Sequence, residues 1–190
     1  MDNRIIKAFE ESAEVKIRFA KENEERIRKA ANLIVSVCKN GGKVMLFGNG
    51  GSAGDASHIA GEFVNRFLKD RAPLPAIALN TDMAVMTSIG NDYDFSEVFV
   101  RQIKALGKEG DVAIAISTSG NSNNVLKGVM TAKEMNIKTI GLTGGTGGKL
   151  AGIVDYAFIV PTSKTPRIQE THITFGHILC ELIEEEIFGK

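Results

Sequence analysis

Five short apolar runs, each closed by small or polar residues, constrain this chain more than any other feature. They are "KVMLFG" (43–48), "PAIALN" (75–80), "VAIAIS" (112–117), "IKTIGLTG" (137–144) and "YAFIVP" (156–161). None alternates apolar with polar, so each reads as a strand buried on both faces. Stretches with helical spacing separate most of them, at 53–68, 82–89 with 94–106, and 122–135. A long helix is expected over roughly 166–188.

Strands of this kind joined through helices predict a parallel sheet covered on both sides. The fold class is therefore α/β, a three-layer α/β/α sandwich of about five strands wound in both directions. Before the first strand, Ile5, Phe9, Ala13, Ile17 and Ala20 recur at helical spacing, and Ile27, Ala30, Ala31, Ile34 and Val37 do so again. Two N-terminal helices are expected over 3–39, stopped by "KNGGK". Their apolar faces suit either an oligomer interface or packing on the sheet. No linker, repeat or low-complexity tract interrupts the 190 residues, which predicts a single domain over 1–190.

Charge and cysteine usage narrow the function classes. Lys plus Arg and Asp plus Glu both number 23, and no long basic run occurs, which argues against nucleic acid as the main partner. No apolar run approaches the roughly 20 residues that span a bilayer, so no membrane partner is expected. The charged start "MDNRIIKAFEESAEVKIRF" does not read as a signal peptide. Cys38 and Cys180 lie in apolar helical contexts without C-x-x-C spacing, as reduced core thiols of a cytoplasmic protein would. In "CELIEEEIF", Glu184, Glu185 and Glu186 are expected to form the solvated end of the last helix.

In doubly wound sheets the ligand sits beyond the carboxyl ends of the strands, and the unusual loops fall there. "STSGNS" sets Ser117, Thr118, Ser119 and Ser122 where the third strand passes into a helix. Hydroxyls and free amides at a helix N-terminus hold anions. An N-cap needs only one of them, so the loop is expected to bind phosphate. "GNGGSAG" after the first strand is no Walker loop, because no G-K-[ST] follows. It also departs from the dinucleotide fingerprint, with Ala53 at the third glycine position and Asn80 rather than an acid ending the second strand. It reads as a close-approach loop for a small polar ligand, which Asn49 and Ser52 would bond while Gly50 and Gly51 admit it to the backbone. Asn91 and Asp92 of "IGNDYDF" are either a further polar contact or an ordinary helix-ending turn.

The three histidines are His58, His172 and His177. His58 and Glu62 stand at i, i+4 on the helix after the glycine turn, a spacing for zinc binding, for acid–base chemistry, or for a plain surface pair. In "RIQETHITFGHILCELI", Gln169, His172 and His177 interrupt an apolar-periodic run. Polar groups buried there must be satisfied, or cost roughly 1–3 kcal/mol each. Gln169 and His177 are about 12 Å apart along a helix axis. To meet one ion they would have to reach inward from both sides or come from different subunits.

The segments "FGNGGSAGDASHIAGEF", "GNDYDF", "ISTSGNS" and "TPRIQETHITFGHILCELIE", in this order, resemble the sugar isomerase (SIS) domain. Within it they resemble the phosphoheptose (sedoheptulose 7-phosphate) isomerases, over nearly the whole chain. The resemblance implies a homotetramer with active sites at subunit interfaces, where helices 3–39 would lie. It also implies one Zn2+ per subunit, held by His58, Glu62, Gln169 and His177. Substrate contacts would fall on Asn49, Gly50, Gly51, Glu62, Asn91, Asp92, Ser117, Thr118, Ser119, Ser122 and Gln169.

The implied reaction takes sedoheptulose 7-phosphate to D-glycero-D-manno-heptose 7-phosphate through an enediol, the first step of ADP- or GDP-heptose biosynthesis. Glu62 would be its base and His177 the partner acid/base, with His172 structural. One departure is Pro166 in "KTPRIQE", where some members carry an acid. Two alternatives share these loops. A non-catalytic SIS protein that binds the replication initiator would lack acid–base residues like Glu62 and His177. An isomerase of another sugar phosphate would have nearly the same site chemistry.

Overall fold

The structure, a computed structural model, describes residues 3–189. A single helix, α1 (Arg4–Lys39), opens it where two were expected. The segment between the two apolar stripes, "KENEERIRK", is rich in strong helix formers and has no glycine or proline to break it. Ion pairs four residues apart brace it: Arg18–Glu22, Glu24–Arg28 and Glu25–Lys29. The stripes differ because they face different surroundings. Ile5, Phe9 and Ile17 are exposed, whereas Ile27, Ala30 and Ile34 are in the core. Toward the N-terminus the buried line runs instead through Asn23, Phe19 and Ser12.

The strands are β1 (Val44–Gly48), β2 (Ala76–Ala78), β3 (Val112–Ile116), β4 (Lys138–Gly144) and β5 (Tyr156–Val160). All pairings are parallel, in the order β2-β1-β3-β4-β5. One row of partners, Ala78, Leu46, Ile114, Ile140 and Tyr156, crosses the whole sheet. Side chains alternate between faces. Val44, Leu46, Ile114, Leu142 and Phe158 share one core with α1, α2 (Gly51–Val64) and α6 (Thr165–Phe188). Met45, Phe47, Ala113 and Ala115 share the other with α3 (Met83–Asp92), α4 (Val98–Leu106) and α5 (Asn123–Glu134). On the first face Phe19, Phe158 and Phe175 interlock, with ring centroids 4.5 to 6.4 Å apart. The sandwich is the one expected.

The chain leaves β1 for β2 through α2, then returns past β1 to β3 through α3 and α4. The winding therefore reverses between β1 and β3, and their carboxyl ends open a crevice where such sheets bind ligands. Two further expectations meet the structure on the first face. Pro166 lies in the first turn of α6, where its missing N–H costs nothing. The acidic end of α6 is solvated only at Glu185 and Glu186, because Glu184 is 2% exposed and pairs with the buried Arg71. Among the described residues no helix is long and apolar enough to cross a membrane.

Candidate active site

The glycine loop after β1 and the serine loop after β3 flank the crevice. Asn49 and Asn124 join them by exchanging amide bonds, Nδ2 to Oδ1 in each direction at 2.8 Å. Asn124, at the start of α5, was not singled out from the sequence. This pairing leaves Asn49 one N–H and one lone pair for a ligand. Ser52 is buried beneath the loop, while Gly50 and Gly51 face outward.

In the serine loop, Ser117 Oγ donates to Ser122 Oγ at 3.1 Å, and Ser119 Oγ accepts the Asn121 N–H at 3.2 Å. Ser122 stands at the N-cap of α5 yet makes no capping bond, so its hydroxyl serves the loop rather than the helix. Gly120, at φ +65°, lets the chain pass under Gly147, whose carbonyl oxygen would lie 2.1 Å from any Cβ there. Thr118 and Ser119 line a cleft of about 330 Å3 together with Gly144, Thr146, Ser163 and Thr165. Hydroxyls gathered at a helix N-terminus form an anion site.

Behind the glycine loop, α2 and α6 run parallel. Gln169 lies beside Gly51, and about two turns further along each helix Gly176 lies against Ile59. A Cβ on Gly176 would stand 2.4 Å from Ile59 Cδ1, so the helices approach closely at that level. The contact brings in His177, 119 residues from His58 in the chain, with the two Nε2 atoms 3.0 Å apart. His58 Nε2 is also 3.2 Å from Glu62 Oε1. The ligand atoms of all three residues lie within 4.8 Å of one another. The Phe67 ring lies 5.6 Å from that of His177.

This donor set fits zinc. Bonds of about 2.0–2.1 Å in tetrahedral geometry put neighbouring ligand atoms about 3.3 Å apart, near the separations seen. A proton on His58 Nε2 serves one neighbour well, whereas a cation among the three serves all. Gln169, the fourth expected ligand, lies elsewhere in this chain. Its amide nitrogen is 2.4 Å from where a Gly51 Cβ would be, and Gly51 precedes His58 by about 10 Å of helix rise. Asn91 and Asp92 end α3, exposed and bonded to each other at 2.8 Å. Among the described residues, no hydrogen bond ties either to the two loops. The site is open in the single chain, with the His58 side chain 50% exposed and that of Glu62 28%.

His172 is buried apart from this cluster. Its Nε2–H donates to Thr143 O at 3.1 Å, and burial lowers its pKa to about 4. Burial and a backbone hydrogen bond suit the structural role expected of it. The thiols of Cys38 and Cys180 are both free, and burial pushes them up to about 11 and about 12. Besides Asn124, Asp55 was missed, half-buried on α2 one turn before His58. Burial pushes its carboxyl up against the pull of His58, and Oδ2 has no partner. Its i, i+3 spacing from His58 was the available signal.

Residues 8–144 match the family model for the SIS domain. A phosphoheptose isomerase of Thermodesulfovibrio yellowstonii is 58% identical over 188 residues, which cover 99% of this chain and 94% of that protein. One of Aquifex aeolicus is 54% identical over 187 residues, covering 98% of each. The solved phosphoheptose isomerase of Neisseria gonorrhoeae superimposes with a TM-score of 0.91 at 42% identity, over 96% of this chain and 98% of that one.

Proposed function

The chain belongs to the SIS-domain phosphoheptose isomerases, and we propose that Glu62 and His177 are the groups that move protons in its reaction. The enzyme is an aldose–ketose isomerase acting on sedoheptulose 7-phosphate, at the first step of ADP- or GDP-heptose biosynthesis. The observation that carries the site is the meeting of His58, Glu62 and His177 on two parallel helices behind the crevice.

The reaction moves hydrogen between C1 and C2 with no net redox change. Once the sugar ring is open, a base removes the proton next to the carbonyl to give a cis-enediol. The proton then returns at the neighbouring carbon. Such a path needs a base, a group that handles the hydroxyl protons, and stabilisation of negative oxygen. Glu62 turns Oε1 to His58, which leaves its second oxygen for the carbon-bound proton. His177 carries protons between the two substrate oxygens. Ser117, Thr118, Ser119 and Ser122 hold the phosphate at the start of α5, and the Asn49–Asn124 pair keeps both loops in register. His58, Glu62 and His177, with Gln169 completing the set on assembly, would hold one Zn2+ per subunit, a Lewis acid for the substrate oxygens.

Assembly closes the site. The exposure of His58 and Glu62, and of Ile5, Phe9 and Ile17 along α1, supports a homotetramer in which a neighbouring subunit covers both. Asn91 and Asp92 then contact substrate across a subunit boundary. The whole chain acts as one SIS domain in the cytoplasm. Replacing Glu62 with Gln tests the base. Turnover should fall by at least about 100-fold, while calorimetry still detects sugar phosphate binding. Near-normal turnover in that variant would remove Glu62 from the role.

A further inference from the structure

Glu184 and Arg71 form a buried ion pair, with side chains 2% and 3% exposed. The Glu184 carboxylate accepts four hydrogen bonds: the backbone N–H groups of Phe67, Leu68 and Lys69 at 2.8 to 3.1 Å, and Arg71 Nε at 3.0 Å. The rest of the guanidinium turns to the end of α2. Nη2 donates to Glu62 O at 2.8 Å, and Nη1 to Phe63 O at 2.8 Å and Ala72 O at 3.0 Å. The last carbonyls of a helix have no partners within it, and here Arg71 supplies donors to two of them, Glu62 O and Phe63 O. Burial pushes the Glu184 carboxyl up, but the three amides and the guanidinium together outweigh it and hold the group below its ordinary value.

A pair like this gains little net stability, because the attraction is offset by taking both charges out of water. Its placement accounts for it better. It holds the backbone of Glu62, a residue of the proposed site, and binds α2 to α6 about two turns beyond His177. It also orders the loop that carries Phe67, whose ring faces that of His177. We infer that Arg71 and Glu184 are positioning residues for the reaction, which fix His58 and Glu62 on α2 against His177 on α6 and seat Phe67 beside the His177 ring. This rests on the metal and proton site proposed above.

The test uses the full-length enzyme with Co2+ as a spectroscopic probe of the histidine–carboxylate site. The parent is measured first, for its Co2+ absorption spectrum, Co2+ affinity and turnover of sedoheptulose 7-phosphate. A parent that turns over but takes up no Co2+ would overturn the site reading, and this inference with it. Glu184→Gln and Arg71→Lys follow, the second keeping the charge but not the fork. Each should change the Co2+ spectrum and lower Co2+ affinity and kcat by about 10- to 100-fold, the range for residues that orient metal ligands. KM should stay near the parent value, because the serine loop lies outside these contacts. Should a single variant fail to fold, Arg71→Met/Glu184→Leu removes both charges together and is read the same way. A folded variant with a lowered Tm but the parent's spectrum, Co2+ affinity and kcat would make the pair merely structural and overturn the inference.

Discussion

Of the three histidines, His58 and His177 share a site and His172 does not, although His172 and His177 stand on the same helix. The environment of His172 has a consequence that can be measured. Burial lowers its pKa from 6.5 to about 4, so below 6.5 the unfolded chain takes up a proton that the folded one refuses. Its contribution to stability is whole above pH 6.5 and is lost as pH falls toward 4, by up to about 1.4 kcal/mol per pH unit. Urea unfolding across that window should show a shallower loss of stability in His172→Gln than in the parent. Equal slopes would mean that His172 is protonated in the folded protein. The His58–Glu62 pair was legible from its four-residue spacing. His177 was not, except by resemblance, because a contact spanning 119 residues depends on how two helices are set against each other. Asn124 was missed because nothing local distinguishes an asparagine that bridges loops from one that starts a helix.

At the scale of elements, the five strands were legible because burial on both faces leaves no polar alternation to confuse them. The N-terminal segment was expected as two helices because its apolar positions form two stripes out of phase with each other. It is one helix because nothing between the stripes breaks it, and one stripe is left exposed. Close approaches were invisible in the sequence, and they set up a contrast between two glycines. Alanine at Gly120 would meet the Gly147 backbone at 2.1 Å in a left-handed conformation, with nothing free to move. Alanine at Gly51 would meet only the end of the Gln169 side chain, which can swing away. Gly120→Ala should therefore lose about 1–3 kcal/mol of stability in thermal unfolding, with a raised KM for the sugar phosphate. Gly51→Ala should melt near the parent temperature yet lose turnover as Gln169 is displaced. If the two variants melt alike, the serine loop is not held as described.

At the scale of the whole molecule, Ile5, Phe9 and Ile17 form an exposed apolar line along α1. A second copy of the chain is the proposed cover. The double variant Phe9→Glu/Ile17→Glu should sediment as a smaller species than the parent and lose turnover in step with assembly. A variant that sediments like the parent would place the interface elsewhere. The central claim is an enediol isomerisation at the His58, Glu62 and His177 site. Its most direct test is purified protein with sedoheptulose 7-phosphate in D2O, followed by NMR with and without a chelator. The prediction is aldose 7-phosphate carrying deuterium at C2, formed at a rate that collapses when the chelator is present. No aldose product from assembled, zinc-supplied protein would contradict it.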